Sequence, residues 1–321
     1  MFRDQEWLLP SIILASLATI VATTLRIATD YPGQPSGKTS LVAAVAIGLV
    51  VALFRFLRHL WILWREGESH PIARIRGDLP LAFFTMAPIT AGIAIMAMFL
   101  YSATFLKSMI PAVVPFWADP LLAATDKAIF VNGQSLALAV GPLLPVLGYF
   151  YAGWHAAHIG GILWVLHWET GNKSRHIISF MLVWFIGMVF AYLFSSMGPI
   201  FTGRFDATVA PPTVRKTAEF LWANYQSGGA LIGGGISAFP SIHVAIATWF
   251  ALVLRDRGLS LMGAIYLIGV FVCSVILGWH YVIDGAAGVA IAFFANRLSE
   301  TWLQFTRSRS LIRGQTEAVS N

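Results

Sequence analysis

Three ionisable side chains in the carboxyl-terminal third of the chain, His243, His280 and Asp284, lie beside long apolar runs, where such groups are rare. His280 and Asp284 are four residues apart, so on a helix their side chains share a face and can meet. A carboxylate on one ring nitrogen fixes the histidine tautomer and leaves the other nitrogen free to attack. Ionisable groups at membrane depth are costly and usually functional. The spacing therefore predicts His280 as a nucleophile that Asp284 orients.

A second polar segment, Ser237–His243, precedes another apolar run and follows three consecutive glycines. Pro240 suits the first turn of a helix, and the free N–H groups of that turn, with the Ser241 hydroxyl, form an anion site. The glycines let the backbone approach a ligand closely. His243 alone is equally well explained as a core histidine bonded to a carbonyl. We expect both segments at the outer ends of their spans, so the histidines, the aspartate and a phosphate-sized site come together.

These two segments resemble the second and third motifs of the phosphatidic-acid phosphatase type 2 superfamily. The resemblance rests on Pro240–His243 and on the His280-x-x-x-Asp284 spacing. It implies that His280 attacks phosphorus and forms a phosphohistidine, that Asp284 orients it, and that His243 protonates the leaving oxygen. It also implies that Ser241 contacts the phosphate, and we add Ser237 as a second candidate contact.

The chain departs from the usual superfamily pattern at its cations. It has no Arg-Pro pair, it has Cys273-Ser274 in place of the Ser-Arg pair upstream of the nucleophile, and Ile242 replaces a glycine. The pattern is more similar to the inositol-phosphorylceramide and sphingomyelin synthase branch, which has Ala-Phe-Pro-Ser-x-His and His-Tyr-x-x-Asp signatures. That branch moves a phospho-headgroup between lipids. Arg204 is the predicted replacement cation, with a solvated loop arginine as the equal alternative.

The composition identifies the class of protein that positions these residues. Of 321 residues, 57% are apolar and 11% are charged, with a mean hydropathy of +0.73, whereas soluble domains carry about 25% charged residues. We therefore expect an all-α, polytopic membrane bundle. Eight segments meet or approach the length of about 20 residues that a spanning helix needs. They are Leu8–Ala28, Leu41–Trp64, Leu79–Leu106, Leu136–Leu166, Ile177–Gly198, Pro240–Leu254, Ser260–Trp279 and Asp284–Trp302.

The distribution of Lys and Arg predicts the orientation. With the amino terminus inside, fourteen basic residues fall on the inner face and seven on the outer face, which favours two cytoplasmic termini. We interpret Leu8–Ala28 as a retained span because no convincing cleavage site follows it. The expected location is a bacterial plasma membrane, with the site on the periplasmic or extracellular face.

Two outer connections are too long to be simple turns, and such loops are usually functional or disordered. Lys107–Gln134 contains an expected interfacial segment, Trp117–Phe130, and Pro199–Phe239 is rich in Gly and Pro. Pro142 and Pro145 predict a kink in the fourth span. The expected organisation is residues 1–135 as amino-terminal helices with the interfacial segment, 136–306 as the catalytic bundle, and 307–321 as a cytoplasmic tail.

Other polar residues give weaker indications. His155 and His158 are expected to make structural hydrogen bonds. Asp126 and Lys127 are expected on a solvated face, with a mutual ion pair or a place along the path of the lipid headgroup as the alternatives. The single cysteine, Cys273, excludes an intramolecular disulfide. We expect no cofactor and no metal, because no third strong ligand of suitable spacing accompanies the histidines. Nucleic-acid binding is excluded because no basic cluster interleaves with aromatic residues.

The favoured function is a lipid phosphotransferase that takes both donor and acceptor from the membrane. A lipid or prenyl-pyrophosphate phosphatase is the alternative, because a phosphohistidine can pass its group to water or to an alcohol. A catalytically inactive lipid carrier is disfavoured by the intact His243, His280 and Asp284 set. An intramembrane serine protease is disfavoured because Ala238 and Ile242 follow the candidate serines, where a glycine is needed.

Overall fold

The computed structural model describes residues 5–32, 37–168, 171–228 and 233–320. Within these ranges the chain forms α-helices, short 3-10 turns and loops, and no strand. The all-α prediction is therefore confirmed. The helices are α1 Leu8–Ala28, α2 Gly37–Arg65, α3 Pro71–Val113, α4 Asp119–Ala128, α5 Gly133–Val140, α6 Leu144–Ala152, α7 Trp154–Trp168, α8 Lys173–Leu193, α9 Pro212–Gln226, α10 Ile242–Asp256, α11 Ser260–Ile276 and α12 Val282–Ser320.

Six helical stretches in the described residues are long and apolar enough to cross a membrane. They are α1, residues 42–65 of α2, α3, the α5–α7 stretch, α8 and the first part of α12. The two remaining predicted spans are α10, with 15 residues, and α11, with 17 residues. Helix α10 has the predicted length but begins and ends two residues later than predicted, and α11 ends three residues earlier than predicted. The integral-membrane class is supported, while the count of eight spans stays a prediction.

The fourth predicted span is broken twice. A 3-10 turn, Gly141–Leu143, separates α5 from α6, where Pro142 and Pro145 cannot donate backbone hydrogen bonds. A second break at Gly153 separates α6 from α7, and proline spacing did not predict it. The kink therefore has the predicted position, and the stretch still forms one candidate span.

The first long connection begins later than predicted. Lys107 was expected in the loop, but α3 continues through Pro111 to Val113, so Lys107 lies inside a helix. A proline in a membrane helix leaves backbone groups free, and neighbouring segments can satisfy them. One such segment packs here, because Gly235 lies against the backbone of Lys107. The predicted interfacial segment contains α4, a ten-residue helix.

The second long connection and the carboxyl-terminal tail contain more helix than the sequence indicated. Pro199–Phe239 includes α9, which has 15 residues. Residues 307–320 of the predicted cytoplasmic tail are helical and continue α12, and Asn321 lies outside the described residues; the cytoplasmic location of the tail stays a prediction. Loop-like composition had concealed α9, whose apolar residues Val214 and Ala218 are buried four residues apart, as on one face of a helix.

Helix α8 is the centre of the bundle, and α12, α10 and α3 pack against it. A polar cluster joins α8 to α10 at the end of α10 that is farthest from His243. Asp256 bonds to Arg175, and its carboxylate lies 3.2 Å from Nε2 of His176, which is fully buried. Trp249 Nε1 donates to the His176 carbonyl at 2.8 Å. These contacts fix the position of α10 along α8.

Candidate active site

The turn between α11 and α12 holds the predicted nucleophile. The carbonyl of Ser274 accepts hydrogen bonds from the N–H groups of Trp279 and His280, both at 3.1 Å. One oxygen of Asp284 accepts from the Tyr281 N–H at 2.9 Å and lies 3.4 Å from Nδ1 of His280. Asp284 is fully buried and His280 is 5% exposed. The pair predicted from the four-residue spacing therefore forms, at a distance typical of catalytic hydrogen bonds without substrate.

A direct backbone contact brings α10 to the same place. The N–H of Ser241 donates to the carbonyl of Asp284 at 3.0 Å. Gly288 lies against this junction, where a Cβ atom would meet the Ser241 carbonyl oxygen at 2.5 Å. As a result, the ring centroids of His243 and His280 are 5.8 Å apart. The two motifs, 37 residues apart in sequence, thus meet in space.

Aromatic side chains enclose the ring of His243. Tyr151 stacks on it with centroids 5.1 Å apart, and the ring of Trp154 lies at 4.3 Å. Trp154 also donates from Nε1 to the His243 carbonyl at 2.9 Å. This packing fixes the ring next to His280, as a proton donor in general acid catalysis requires.

The two serines predicted to contact phosphate have different positions. Ser241 is fully buried, and its Oγ caps α10 by accepting from the Val244 N–H at 3.3 Å. The helix therefore begins at Ile242, two residues later than predicted. Ser237 lines the cavity described next, together with both histidines.

A large apolar cavity of about 730 Å³ reaches His243 and His280. Aliphatic residues of α3 and α7, among them Leu100 and Leu163, line it together with residues of α9. Lys107 is the cation in this lining. Lys107 was expected in a loop and was not among the predicted site residues. Its position at the end of an apolar run, where charged side chains commonly snorkel, was a usable signal.

A second cavity, of about 520 Å³, reaches His280 and has a larger share of polar side chains in its lining than the first, so we call it the polar cavity. Arg204 lines it rather than the apolar cavity, together with Asp126, Lys127 and Gln134. Oδ1 of Asp126 accepts from the Val282 N–H at 2.9 Å. Burial raises the pKa of the Asp126 carboxyl to about 6, the Val282 hydrogen bond opposes this rise, and the charge of Asp284 adds to it.

Residues 121–298 match the profile of the PAP2 superfamily, a range that contains His243, His280 and Asp284 and more than half of the chain. The chain belongs to the PAP2 superfamily. No curated protein and no solved structure matches it. Membership indicates phosphatase or phosphotransferase activity on a phosphate ester, and the six long apolar helices support lipid substrates.

An aspartate that no sequence motif indicated, Asp119, supports the candidate site from outside the matched range. Asp119, which is 4% exposed, accepts from the N–H groups of Met197 and Gly198 at 2.8 and 2.9 Å. It also accepts from the Tyr281 hydroxyl at 3.1 Å, and burial raises the pKa of that phenol, which keeps its proton. Gly198 is required here because its φ is +100° and a Cβ would meet the Trp279 carbonyl oxygen at 2.5 Å.

The histidine pair of α7 also borders the PAP2 site. His155 and His158 both line the apolar cavity, and the His155 ring lies 6.4 Å from that of His243. The expected structural hydrogen bond is present for His155, whose Nδ1 lies 3.3 Å from the Ala152 carbonyl. Nε2 of His158 is buried and has no partner among the described residues, so it faces aromatic neighbours instead.

Proposed function

We propose that the protein is a lipid phosphotransferase, which moves a phospho-headgroup between membrane lipids at the outer leaflet through a phosphohistidine on His280. One observation carries this proposal: the rings of His243 and His280 lie 5.8 Å apart and both line an apolar cavity of about 730 Å³. A cavity of this size and polarity suits a lipid chain. The separation of the rings suits a phosphate ester held between a nucleophile and a proton donor.

The first half of the reaction forms the phosphohistidine. Nε2 of His280 attacks phosphorus, because Nδ1 faces Asp284 and the carboxylate holds the ring in that tautomer. The N–P bond forms as the P–O bond to the donor lipid breaks. His243 transfers its proton to the departing oxygen, which leaves as the lipid alcohol. Asp284 stabilises the positive charge that develops on the His280 ring.

The second half reverses these steps with another alcohol. The acceptor hydroxyl gives its proton to His243 while its oxygen bonds to phosphorus and the N–P bond breaks. His280 returns to its neutral form, and His243 regains the proton that it lost. The acceptor occupies the position that the first alcohol left, so one apolar cavity serves both lipids.

The negative charge of the phosphate needs a cation on the same side as the lipid. Lys107 and Ser237 line the apolar cavity with both histidines, and we assign them to the non-bridging oxygens. Ser241 supports the site as the cap of α10 and retains a hydroxyl proton to donate. Arg204, the replacement cation proposed from sequence, lines the polar cavity, where it contributes charge from the opposite side of His280.

The resemblance to the inositol-phosphorylceramide and sphingomyelin synthase branch supports transfer over hydrolysis. Transfer is also favoured because α9 helps to enclose the apolar cavity, which limits the access of water to the intermediate. The alternative is a lipid or prenyl-pyrophosphate phosphatase. The polar cavity favours the phosphatase, because exposed polar side chains line this cavity together with His280.

A donor and acceptor assay tests the proposal. Purified protein in vesicles should consume a phosphodiester lipid faster when a lipid alcohol is added, and should yield a new phospholipid. His280→Ala should abolish turnover and covalent labelling, whereas His167→Ala, a histidine outside both cavities, should retain both. Vanadate should inhibit and chelators should not. Release of inorganic phosphate from phosphatidic acid or a prenyl pyrophosphate at a rate independent of the alcohol would establish the phosphatase instead.

The proposed organisation places residues 136–306 as the catalytic bundle, residues 1–135 as its amino-terminal support, and both termini in the cytoplasm. Labelling in a Cys273→Ala background tests the orientation. A cysteine at Lys216, which is exposed on α9, should react with an impermeant thiol reagent outside intact cells. A cysteine at Arg257, at the far end of α10, should react only after permeabilisation, and the reverse pattern would invert the topology.

A further inference from the structure

Arg55 is a cation inside a candidate membrane span, and its hydrogen-bond partners carry no negative charge. It lies in residues 42–65 of α2 and is half-buried. Its Nη1 lies 3.2 Å from Nδ1 of His167, and its Nη2 lies 3.5 Å from Oγ1 of Thr85. Charged side chains in membrane spans usually pair with an opposite charge. In the part of the chain that the structure describes, Arg55 forms no ion pair with a carboxylate.

The position of Arg55 along the bundle is the membrane surface opposite the candidate active site. His167 is in the last turn of α7, and α8 begins at Lys173, so the chain reverses direction at this level. Thr85 precedes Lys107 on α3 by 22 residues, which correspond to about 33 Å of helix. The hydrocarbon layer is about 30 Å thick. Because Lys107 lines the cavity that contains the two histidines, Arg55 lies at the depth of the lipid phosphates of the other leaflet.

Two further cations lie close to Arg55. Arg58 is exposed and follows it by three residues, so the two share a face of α2, and the charge of Arg58 acts on Arg55. The charges of Arg58 and Lys173 also act on His167. Asp78, on the neighbouring α3, forms ion pairs with other side chains. Like charges repel, so this group of cations is stabilised when an anion lies among them.

The surroundings of these cations suit a lipid better than a soluble anion. Phe54 and Leu57 are beside Arg55 and Arg58 on α2, and each is more than half exposed. In a bilayer, acyl chains can cover these two apolar side chains while the phosphate of the same lipid contacts the guanidinium groups. The planar guanidinium group matches the geometry of phosphate oxygens. Basic pockets between membrane helices are typical sites for the headgroups of anionic lipids.

We propose that Arg55, Arg58 and Lys173 form a binding site for the phosphate of an anionic phospholipid in the leaflet opposite the candidate active site. The lipid supplies a counter-ion for Arg55 and joins α2 to the beginning of α8. The site is separate from both cavities, since none of the three cations lines either of them. It therefore does not depend on which reaction takes place at His280.

A titration followed by native mass spectrometry tests the site. Wild-type protein should bind one phosphatidylglycerol more tightly than a phosphatidylcholine with the same acyl chains. Arg58→Gln should weaken phosphatidylglycerol binding about fivefold, the contribution of one cation near a membrane surface, and adding Arg55→Gln should weaken it further. Arg297→Gln removes the same charge from an exposed arginine that already pairs with Glu300, so it should keep the wild-type affinity.

The variants also guard against misfolding. Arg58 is exposed, so Arg58→Gln decides the proposal even when Arg55→Gln fails to fold. Arg55→Lys, which keeps the charge, should retain most of the affinity. Wild-type affinity in Arg58→Gln, or an equal loss in Arg297→Gln, would overturn the site.

Thermal unfolding separates this site from the apolar cavity and from a site for soluble anions. A lipid that binds the folded protein raises its melting temperature, so phosphatidylglycerol should raise it more than phosphatidylcholine does in the wild type. Lys107→Met, which removes the cation of the apolar cavity, should keep this difference, and Arg58→Gln should reduce it. Loss of the difference in Lys107→Met alone would place the anionic lipid in the cavity and overturn the proposal. An equal rise with inorganic phosphate would show a site for soluble anions and overturn it as well.

Discussion

Gly288 lies where α12 meets the beginning of α10, and its replacement by alanine tests whether that contact sets the separation of the two histidines. The added Cβ would be 2.5 Å from the carbonyl oxygen of Ser241, whereas ordinary contact begins at 3.4 Å. One backbone must therefore move by about 0.9 Å away from the other. Because Ser241 immediately precedes α10, that movement shifts His243 relative to His280.

The expected effect on rate follows from this displacement. A misplacement of about 1 Å can cost about 100-fold in the chemical step, so Gly288→Ala should lower kcat by about two orders of magnitude. Gly160→Ala is the matched control, because a Cβ at Gly160 of α7 would meet nothing within 4 Å. Alanine favours helix by about 1 kcal/mol over glycine, so the control should keep its rate and gain slightly in thermal stability.

The assay compares kcat, KM and the melting temperature of both variants in the same vesicles or detergent. Loss of kcat in Gly288→Ala, with a cooperative melting transition retained, supports the contact as the determinant of the site. Wild-type kcat in Gly288→Ala would refute the reasoning, because the two motifs would then tolerate almost an ångström of separation.

Three further predictions concern single charged residues. Asp256→Ala should lower the free energy of unfolding by about 3–5 kcal/mol, because it leaves buried partners unpaired. Asp78→Ala, which breaks an exposed ion pair, is the control and should cost less than about 1 kcal/mol. Thermal unfolding of the two variants compares these losses. The Asp126 carboxyl has a raised pKa of about 6, so it ionises and becomes the better acceptor as pH rises through 6. KM for a donor whose headgroup donates hydroxyl hydrogen bonds should therefore fall across that range in the wild type, and Asp126→Asn should remove this dependence of KM on pH. Lys107→Met should lower kcat/KM for a phosphodiester by about 10- to 100-fold, because a charge-assisted hydrogen bond is lost. Lys107→Arg should retain part of the wild-type kcat/KM. Wild-type kinetics in Lys107→Met would exclude this lysine from phosphate binding.

The sequence could predict features that depend on local spacing. Two residues four apart meet on a helix or at its first turn, so the contact of His280 with Asp284 followed from their positions alone. Apolar length likewise located α1 without error in either bound. Both predictions needed only helix geometry, which holds whatever surrounds the segment.

Features that depend on tertiary contacts could not be predicted. Asp119 binds backbone N–H groups of residues almost 80 positions away, and no local pattern specifies such partners. Lys107 was expected in a loop, but it lines the apolar cavity because α3 continues through Pro111, which proline chemistry alone disfavours. The division of the site into an apolar and a polar cavity depends on how α3, α4, α7 and α9 pack, and hydropathy does not contain that information.

The shortness of α10 has a consequence for where the chemistry takes place. Its 15 residues correspond to about 22 Å of helix, whereas the hydrocarbon layer is about 30 Å thick. If α10 spans the membrane, as the predicted span Pro240–Leu254 requires, and Arg255 and Asp256 lie at one membrane surface, then His243 lies below the opposite surface and not at it. Lipids can then reach the histidines by lateral diffusion, without any part of their chains entering water. A thicker bilayer would bury the reaction more deeply, so membrane composition itself becomes a control on the rate.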